Sequence, residues 1–238
     1  MTRVSVAMAV YNGGKYLNEQ MGSIINQLTD EDELVVSDNM STDDSRDIIL
    51  SYVKLYPNIK IYECNEQGIL ANFENVIKHC NGDYIFLADQ DDVWKENKIE
   101  RVLEIFEGTQ ADLILHDCEY VDENLASLHK TLFKDRRAEP GFNRNLWYNA
   151  YQGCCMAFKK ELVSMICPIP RKVAMHDQWI GLVAEKTGKV VFLEESLILY
   201  RKHKNSNSSK HIGLTKKLLY IKEVKKDVEC CISKFDRN

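Results

Sequence analysis

The stretch Phe86-Leu87-Ala88-Asp89-Gln90-Asp91-Asp92-Val93-Trp94 joins an apolar run to three carboxylates within four residues. The run, Tyr84 to Leu87, follows a turn at Asn81-Gly82-Asp83 and is apolar on both faces, so it reads as a buried strand of parallel type. Nothing in a core requires the acids that follow. Crowded carboxylates repel and raise one another's pKa unless a cation lies between them. A hard divalent ion such as Mg²⁺ or Mn²⁺ takes oxygen ligands, often one or two carboxylates completed by phosphate and water. The C-terminal end of a strand in an open α/β sheet is also where such sheets bind ligands. A plain acidic turn capping a helix that starts near Trp94 is the structural alternative.

Upstream, the chain alternates strand and helix. Val4 to Val10 is a β-rich apolar strand ending in the turn Tyr11-Asn12-Gly13-Gly14, and Leu17, Met21, Ile24, Ile25 and Leu28 then fall on one helical face. Glu33 to Ser37 is a second strand. Asp38-Asn39-Met40-Ser41-Thr42-Asp43-Asp44 follows it, with Ser41 or Thr42 placed to cap a helix whose inner face is Ile48, Ile49, Tyr52, Val53 and Tyr56. Ile59 to Glu63 is a third strand, and Leu70, Phe73, Val76, Ile77 and Cys80 mark a third helix. This β-α-β-α-β-α-β pattern with short links predicts an α/β fold: a mostly parallel sheet covered by helices. Right-handed crossovers bring the ends of the first, second and fourth strands to one edge, where Tyr11, Asp38 and Asp89 to Asp92 meet.

Downstream the pattern loosens. Ile99, Val102, Leu103 and Phe106 give a helix and Leu113 to His116 a strand, but periodicity fades from Glu119 to Gln152. That segment mixes Lys130, Lys134, Arg136, Arg137 and Arg144 with Phe133, Phe142, Trp147 and Tyr148, and a long irregular segment is often functional. Met156 to Phe158 reads as a strand, Glu161 to Ile166 as a short helix, His176-Asp177-Gln178-Trp179 as a helix start, and Val190 to Leu193 and Leu197 to Tyr200 as two last strands. Asn205 to Ser209 has the composition of a linker. Leu218, Ile221, Val224, Val228 and Ile232 stripe a tail helix with a small lysine surplus, the pattern of an interfacial helix or of one packed on its own domain or a second copy. The boundaries are 1–207 for the α/β domain and 208–238 for the helical tail.

Composition narrows the classes. The 238 residues are 45% hydrophobic and 28% charged, with a net charge of −5, which disfavours bulk nucleic-acid binding. No apolar run approaches twenty residues, and no secretory signal precedes the first strand. The eight cysteines include the adjacent pairs Cys154-Cys155 and Cys230-Cys231 and no CxxC, so they read as reduced, mostly buried thiols of a cytoplasmic protein.

Taken in order, these elements resemble the family 2 glycosyltransferases of GT-A fold. Within that family they are most similar to the bacterial rhamnosyltransferase-like enzymes of capsule, exopolysaccharide and O-antigen synthesis. The resemblance spans residues 3 to 207 and rests on Val4 to Gly13, Asp38 to Asp43 (against a family DDGSTD), Ala88 to Trp94 (against DxDD), His176-Asp177, and Tyr200 to Asn205 (against YRxHxxN). It implies an inverting transfer from a nucleoside diphosphate sugar, UDP- or dTDP-linked, to a hydroxyl of a glycan acceptor carried on a lipid diphosphate, with Mn²⁺ or Mg²⁺ as cofactor. It places the enzyme in the cytoplasm or peripherally at the inner membrane face, with an oligomer open.

The same resemblance distributes roles. Asp177 is the catalytic base. Val10, Tyr11, Asn12, Asp38, Asn72, Asp89, Gln90 and Asp92 bind the donor, with Asp38 accepting from a uracil or thymine N–H. Asp91, Asp89 and His203 hold the metal. Arg136, Arg137, His176, Trp179 and Arg201 are candidates for the acceptor or diphosphate side. A helix N-terminus would keep Asp177 ionised at neutral pH. The chain departs from the family at Asn39 and Met40, at His176 in place of Glu, and at Ala71-Asn72-Phe73, where an Arg is common. If the family glycine needs positive φ, Met40 must adopt another geometry. A nucleotidyltransferase also combines an α/β sheet with a nucleotide and a metal, but Tyr11 to Lys15 is a poor version of its Gly-rich basic signature. An inactive nucleotide-sugar scaffold would show erosion of the acids, and Asp38, Asp89, Asp91 and Asp177 are all present.

Overall fold

Three β-α units and a fourth strand open the chain, as the alternating pattern predicts. The computed structural model describes residues 3–203 and 214–235. In it, β1 (Val4–Val10) leads to α1 (Gly14–Ile25), β2 (Glu33–Asp38) to α2 (Ser45–Leu55), β3 (Ile59–Glu63) to α3 (Ile69–His79), and β4 (Tyr84–Ala88) to the acidic stretch. These strands pair in the order β3-β2-β1-β4, all parallel. β1 and β2 are apolar on both faces because helices cover both. Leu17, Met21 and Ile24 of α1 and Phe73, Val76 and Ile77 of α3 are buried against the sheet. This burial is the main force holding the half together.

The second half adds β5 (Val93–Trp94), α4 (Lys98–Thr109), β6 (Leu113–Val121), β7 (Ser127–Thr131), α5 (Leu132–Arg136), α6 (Phe142–Trp147), β8 (Met156–Lys159), α7 (Val163–Ile166), α8 (His176–Thr187), β9 (Val190–Arg201) and α9 (Leu214–Phe235). The sheet continues β4-β8-β6-β9-β5. β8 runs antiparallel between β4 and β6, whereas β9 is parallel to β6. No described helix is long and apolar enough to cross a membrane.

Several expectations change. Val93-Trp94 does not start a helix; it pairs antiparallel with Ile198-Leu199 of β9, and α4 begins four residues later. The two last strands are one, β9, whose register against β6 slips between His116 and Asp117 and again before Glu119. The strand expected over Leu113–His116 runs on to Val121, and the stretch 119–152 contains β7, α5 and α6. Ser41 and Thr42 do not cap α2, which starts at Ser45; both bond instead to Asn12. Met40 keeps the geometry expected of the family's glycine, with φ 60°. The linker Asn205–Ser209 and the boundary at 207/208 lie outside the described residues. The stripe of α9 packs on the domain: Val224 and Val228 are buried, and the Tyr220 hydroxyl donates to Gln178 Oε1 (2.7 Å) and accepts from the Ala174 N–H (3.0 Å).

Candidate active site

The sheet brings the expected edge together, and its loops are stitched by side chains. Gln90, between the acids, closes onto the end of β1: its Oε1 accepts from the Tyr11 N–H (2.7 Å) and its Nε2 donates to the Tyr11 carbonyl (3.0 Å). The approach is so close that a Cβ on Gly13 would lie 2.5 Å from the Gln90 side chain. Asn12, at φ 51°, ties the same loop to the next one. Its N–H donates to Ser41 Oγ (2.9 Å) and its Oδ1 accepts from the Thr42 N–H (2.8 Å). The Val10 carbonyl accepts from the Asn39 N–H and from Asn72 Nδ2, and Asn72 Oδ1 is left buried without a protein partner. Asp38 is buried at the end of β2, accepts from the Ser41 N–H (3.2 Å), and has Arg46 at 3.9 Å. Tyr11 is 56% exposed beside it, so a planar base would find a ring and a carboxylate on one edge.

Asn39 explains its own departure from the family pattern. Its Nδ2 donates to the carbonyls of Cys64 (2.7 Å) and Glu66 (2.9 Å), and its Oδ1 accepts from the Gly68 N–H (2.9 Å). An ionised aspartate accepts only and could not make the first two bonds.

The acids divide into two groups. Asp89, Asp92 and Cys154 present ligand atoms within 4.8 Å of one another. Asp91 lies outside that group and places Oδ2 2.7 Å from His203 Nε2. Asp92 is fully buried; Oδ1 accepts from the Arg201 N–H (3.0 Å), while Oδ2 has no protein partner. Burial, then the neighbouring Asp91 charge, pushes Asp89 up to about 7, and the same causes raise Asp92 well above the usual carboxylate range. A pocket that holds the Asp89 and Asp92 carboxylates so close, one with an orphaned buried oxygen, fits a divalent cation. The Cys154 thiol is held far above its ordinary pKa by burial, so it stays an S–H donor to the carboxylates and is a poor ligand for a hard ion.

Two cations support this loop from inside the protein. Arg201 is 2% exposed and gives its Nε to the Asp91 carbonyl (2.8 Å), Nη1 to the Glu123 carbonyl and Nη2 to Glu19. Each of its three nitrogens has an acceptor within the protein, so it clamps the acidic loop to β9. Lys98 is buried behind the loop; its Nζ lies 3.6 Å above the Trp94 ring and donates to the Cys154 carbonyl (2.8 Å), and burial lowers its pKa to about 8.

Asp177 sits at the start of α8, 4% exposed. Its Oδ1 accepts from the Gln178 N–H and from Asn149 Nδ2 (3.3 Å). The ionised form expected from the helix N-terminus meets a stronger opposing effect: burial raises the Asp177 pKa, with the Arg136 charge pulling it back. Arg136 itself donates to the Tyr151 carbonyl (2.7 Å) and to Gln152 Oε1 (2.8 Å). The Asp177 charge is among the lesser causes that raise the Asp89 carboxyl.

Of the other acceptor-side candidates, His176 and Trp179 are buried in the protein. The His176 ring stacks on Phe73 (centroids 3.6 Å), with both nitrogens buried and unpartnered, and burial lowers its pKa to about 3. Trp179 is buried and donates to the Ile166 carbonyl. Arg137 is exposed at the end of α5. Residues missed by sequence reasoning are Cys154, Lys98 and Asn149. All eight cysteines are free and five are buried, as expected, but nothing in the local pattern places Cys154 beside β4. That follows from the β4-β8 pairing.

The description "Glycosyl transferase family 2" matches residues 5–166. The uncharacterized glycosyltransferase alr2836 of Nostoc sp. is 27% identical over 214 residues, 86% of this chain and 66% of that protein. The dTDP-rhamnosyl transferase RfbG of Shigella flexneri is 26% identical over 246 residues, 92% of this chain and 82% of that one. Among solved structures, S. aureus TarS 1-349 in complex with UDP-GlcNAc superposes with a TM-score of 0.73 at 17% identity, over 95% of this chain and 66% of that chain. The chain thus spans just under two thirds of the Nostoc relative and of that TarS chain, and the likeness to TarS shows a shared GT-A fold.

Proposed function

Since the chain belongs to glycosyl transferase family 2, we propose that it moves a sugar, with inversion, from a UDP- or dTDP-sugar to a hydroxyl of a glycan acceptor in bacterial surface polysaccharide synthesis. The observation that carries this reading is the meeting of the buried acidic loop with Tyr11 and Asp38 at one sheet edge, where they offer a nucleoside site. RfbG, named for dTDP-rhamnose transfer, and TarS, solved with UDP-GlcNAc, support a pyrimidine nucleotide.

In this reading Asp38 accepts the N3–H of uracil or thymine beside the Tyr11 ring. Asp91, Asp89 and His203 would hold Mn²⁺ or Mg²⁺, which would supply positive charge to balance the departing diphosphate. Asp92 is too deeply buried to reach the sugar with Oδ1, and its role is to fix the loop through the Arg201 N–H. Asp177 accepts the acceptor proton as the hydroxyl attacks the anomeric carbon from the face opposite the diphosphate. Its raised pKa makes it a stronger base than a surface carboxylate. Asn149 and the Gln178 N–H hold its other lone pairs and so aim it. An acceptor on a lipid diphosphate puts the enzyme at the cytoplasmic face of the membrane.

Calorimetry with UDP, dTDP and GDP tests the donor side. UDP or dTDP should bind more tightly than GDP, only with Mn²⁺ or Mg²⁺ present, and Asp91→Ala should lose the metal-dependent part. Binding that is unchanged in excess chelator would rule the assignment out.

A further inference from the structure

One exposed apolar surface takes no part in the donor chemistry. Ten large apolar or aromatic side chains are exposed among the described residues, and five of them lie at the end of α6 and in the first turns of α9. Trp147 and Tyr148 end α6; Leu214, Leu218 and Leu219 occupy the first turns of α9. Lys217 joins the two groups, its Nζ 4.9 Å from the Tyr148 ring centroid and 5.7 Å from that of Trp147. Val224 and Val228 face the core, and at about 100° per residue Leu219 is turned well away from them, whereas Leu218, expected in the stripe, lies at its margin and is exposed. Leu218 is 48% and Leu219 60% exposed.

Charge follows the same boundary. From Leu214 to Lys222 the helix carries Lys216, Lys217 and Lys222 and no acid, in a chain whose net charge is −5. The acids Glu223, Asp227 and Glu229 come only beyond it. Exposed Trp and Tyr suit the headgroup layer, leucines the acyl boundary, and lysines an anionic headgroup. A free glycan would use the two rings but not three leucines. The surface is also tied to the chemistry, because Asn149, next to Tyr148, donates to Asp177.

We propose that Trp147, Tyr148, Leu214, Leu218 and Leu219, with Lys216 and Lys217, dock the protein on a bilayer containing anionic phospholipid, so that Asp177 faces an acceptor held at that membrane. The docking surface deepens the proposed function and rests on it only for the lipid-linked acceptor.

Vesicle binding tests it. The 238-residue chain is mixed with vesicles of phosphatidylglycerol and phosphatidylcholine, or of phosphatidylcholine alone, and followed by co-sedimentation and tryptophan emission. Trp94 and Trp179 are buried, so a blue shift on binding reports Trp147. The expected result is binding and a blue shift with the anionic vesicles, falling at least tenfold in a Leu218→Glu, Leu219→Glu double variant with an unchanged melting temperature. Equal binding by the two proteins, or none by the unsubstituted chain, overturns the proposal. Self-association that is lost in the double variant, without vesicle binding, also overturns it and assigns the surface to a second copy. UDP or dTDP binding in vesicle-free solution should be the same for both proteins. Failure at the membrane therefore leaves the sugar-transfer reading standing, and loss of nucleotide binding by the unsubstituted chain removes that reading separately.

Discussion

The proposed donor edge and the proposed acceptor edge of this site are built in different ways. The donor edge is made of strand ends in consecutive β-α units, tied loop to loop by single amides: Gln90 to Tyr11, Asn12 to Thr42, Asn39 to Cys64 and Glu66. The acceptor edge is a buried polar network across segments far apart in sequence. Glu185 of α8 accepts from the Gly141 N–H, the Tyr151 hydroxyl and Asn145 Nδ2, while Arg136 and Asn149 converge on Asp177. A parallel sheet puts its loops at one edge by topology alone, so few side chains suffice there. The Asp177 edge has no such scaffold, and the carboxylate proposed as base is held by hydrogen bonds from Asn149 and the Gln178 N–H.

The largest effect expected at either edge is therefore at Asp177. Asn at this position keeps the size and the helix-start bonding, so Asp177→Asn should keep its melting temperature and nucleotide affinity. It should lose sugar transfer by about a hundredfold or more. The proton acceptor must be ionised, so the acid limb of kcat/KM should lie at higher pH than for an ordinary carboxylate, activity falling as pH drops through the raised pKa. Arg136→Gln removes the charge that lowers this pKa and should move the limb further up. A variant Asp177→Asn that transfers sugar normally would mean that the network aims something other than the base.

The network itself comes next. Glu185→Ala strips an acceptor from three donors, but Asn145 Nδ2 keeps the Glu139 and Gly141 carbonyls and the Gly141 N–H is exposed, so the Tyr151 hydroxyl is the buried donor left unpaired. A loss of about 1–3 kcal/mol in denaturant unfolding is expected, with Glu185→Gln much milder because it keeps an acceptor oxygen. Donor binding should survive in any fraction that stays folded. Equal loss in the two variants would show that packing, not hydrogen bonding, holds the acceptor edge.

The same contrast decides what could be read from the chain. β1 to β4, their helices and the meeting of Tyr11, Asp38 and Asp89 to Asp92 follow from local periodicity and handed crossovers, and the structure contains them. Val93-Trp94 was unreadable because its strand partner, Ile198-Leu199, lies over a hundred residues away. Ser41 and Thr42 look like caps, and only the adjacent loop shows that Asn12 takes both. His176, Trp179 and Arg201 are polar or aromatic residues in or next to motifs, yet each points into the protein, a distinction made by burial and not by residue type.

A smaller effect is expected at Asn39, where the family pattern and the local contacts disagree. Asn39→Asp restores the common residue but replaces two N–H donors by an acceptor facing two carbonyls. A loss of about 1–3 kcal/mol at neutral pH is expected, since charge and unmet acceptors add. Protonation would restore one donor, so the loss should shrink as pH falls through that carboxyl's pKa. If Asn39→Asp is as stable as the parent, the donor edge tolerates a change that its hydrogen bonds forbid.

The smallest effect is at Met40, in the same turn. Its φ of 60° puts an L side chain in the left-handed region, which costs roughly 1–2 kcal/mol because Cβ crowds the following carbonyl. Glycine removes that crowding. It also adds freedom to the unfolded chain, which takes back about 0.5–1 kcal/mol. Met40 is 40% exposed, so little packing is lost with the side chain. The balance for Met40→Gly is a gain of about 0.5–1 kcal/mol, read as a higher urea midpoint at unchanged slope. Since the backbone already has the shape a glycine would take, nucleotide affinity should not move. A lower midpoint would mean that the Met40 side chain holds the turn through contacts stronger than its strain. A changed affinity at equal stability would instead place that side chain against the bound nucleoside.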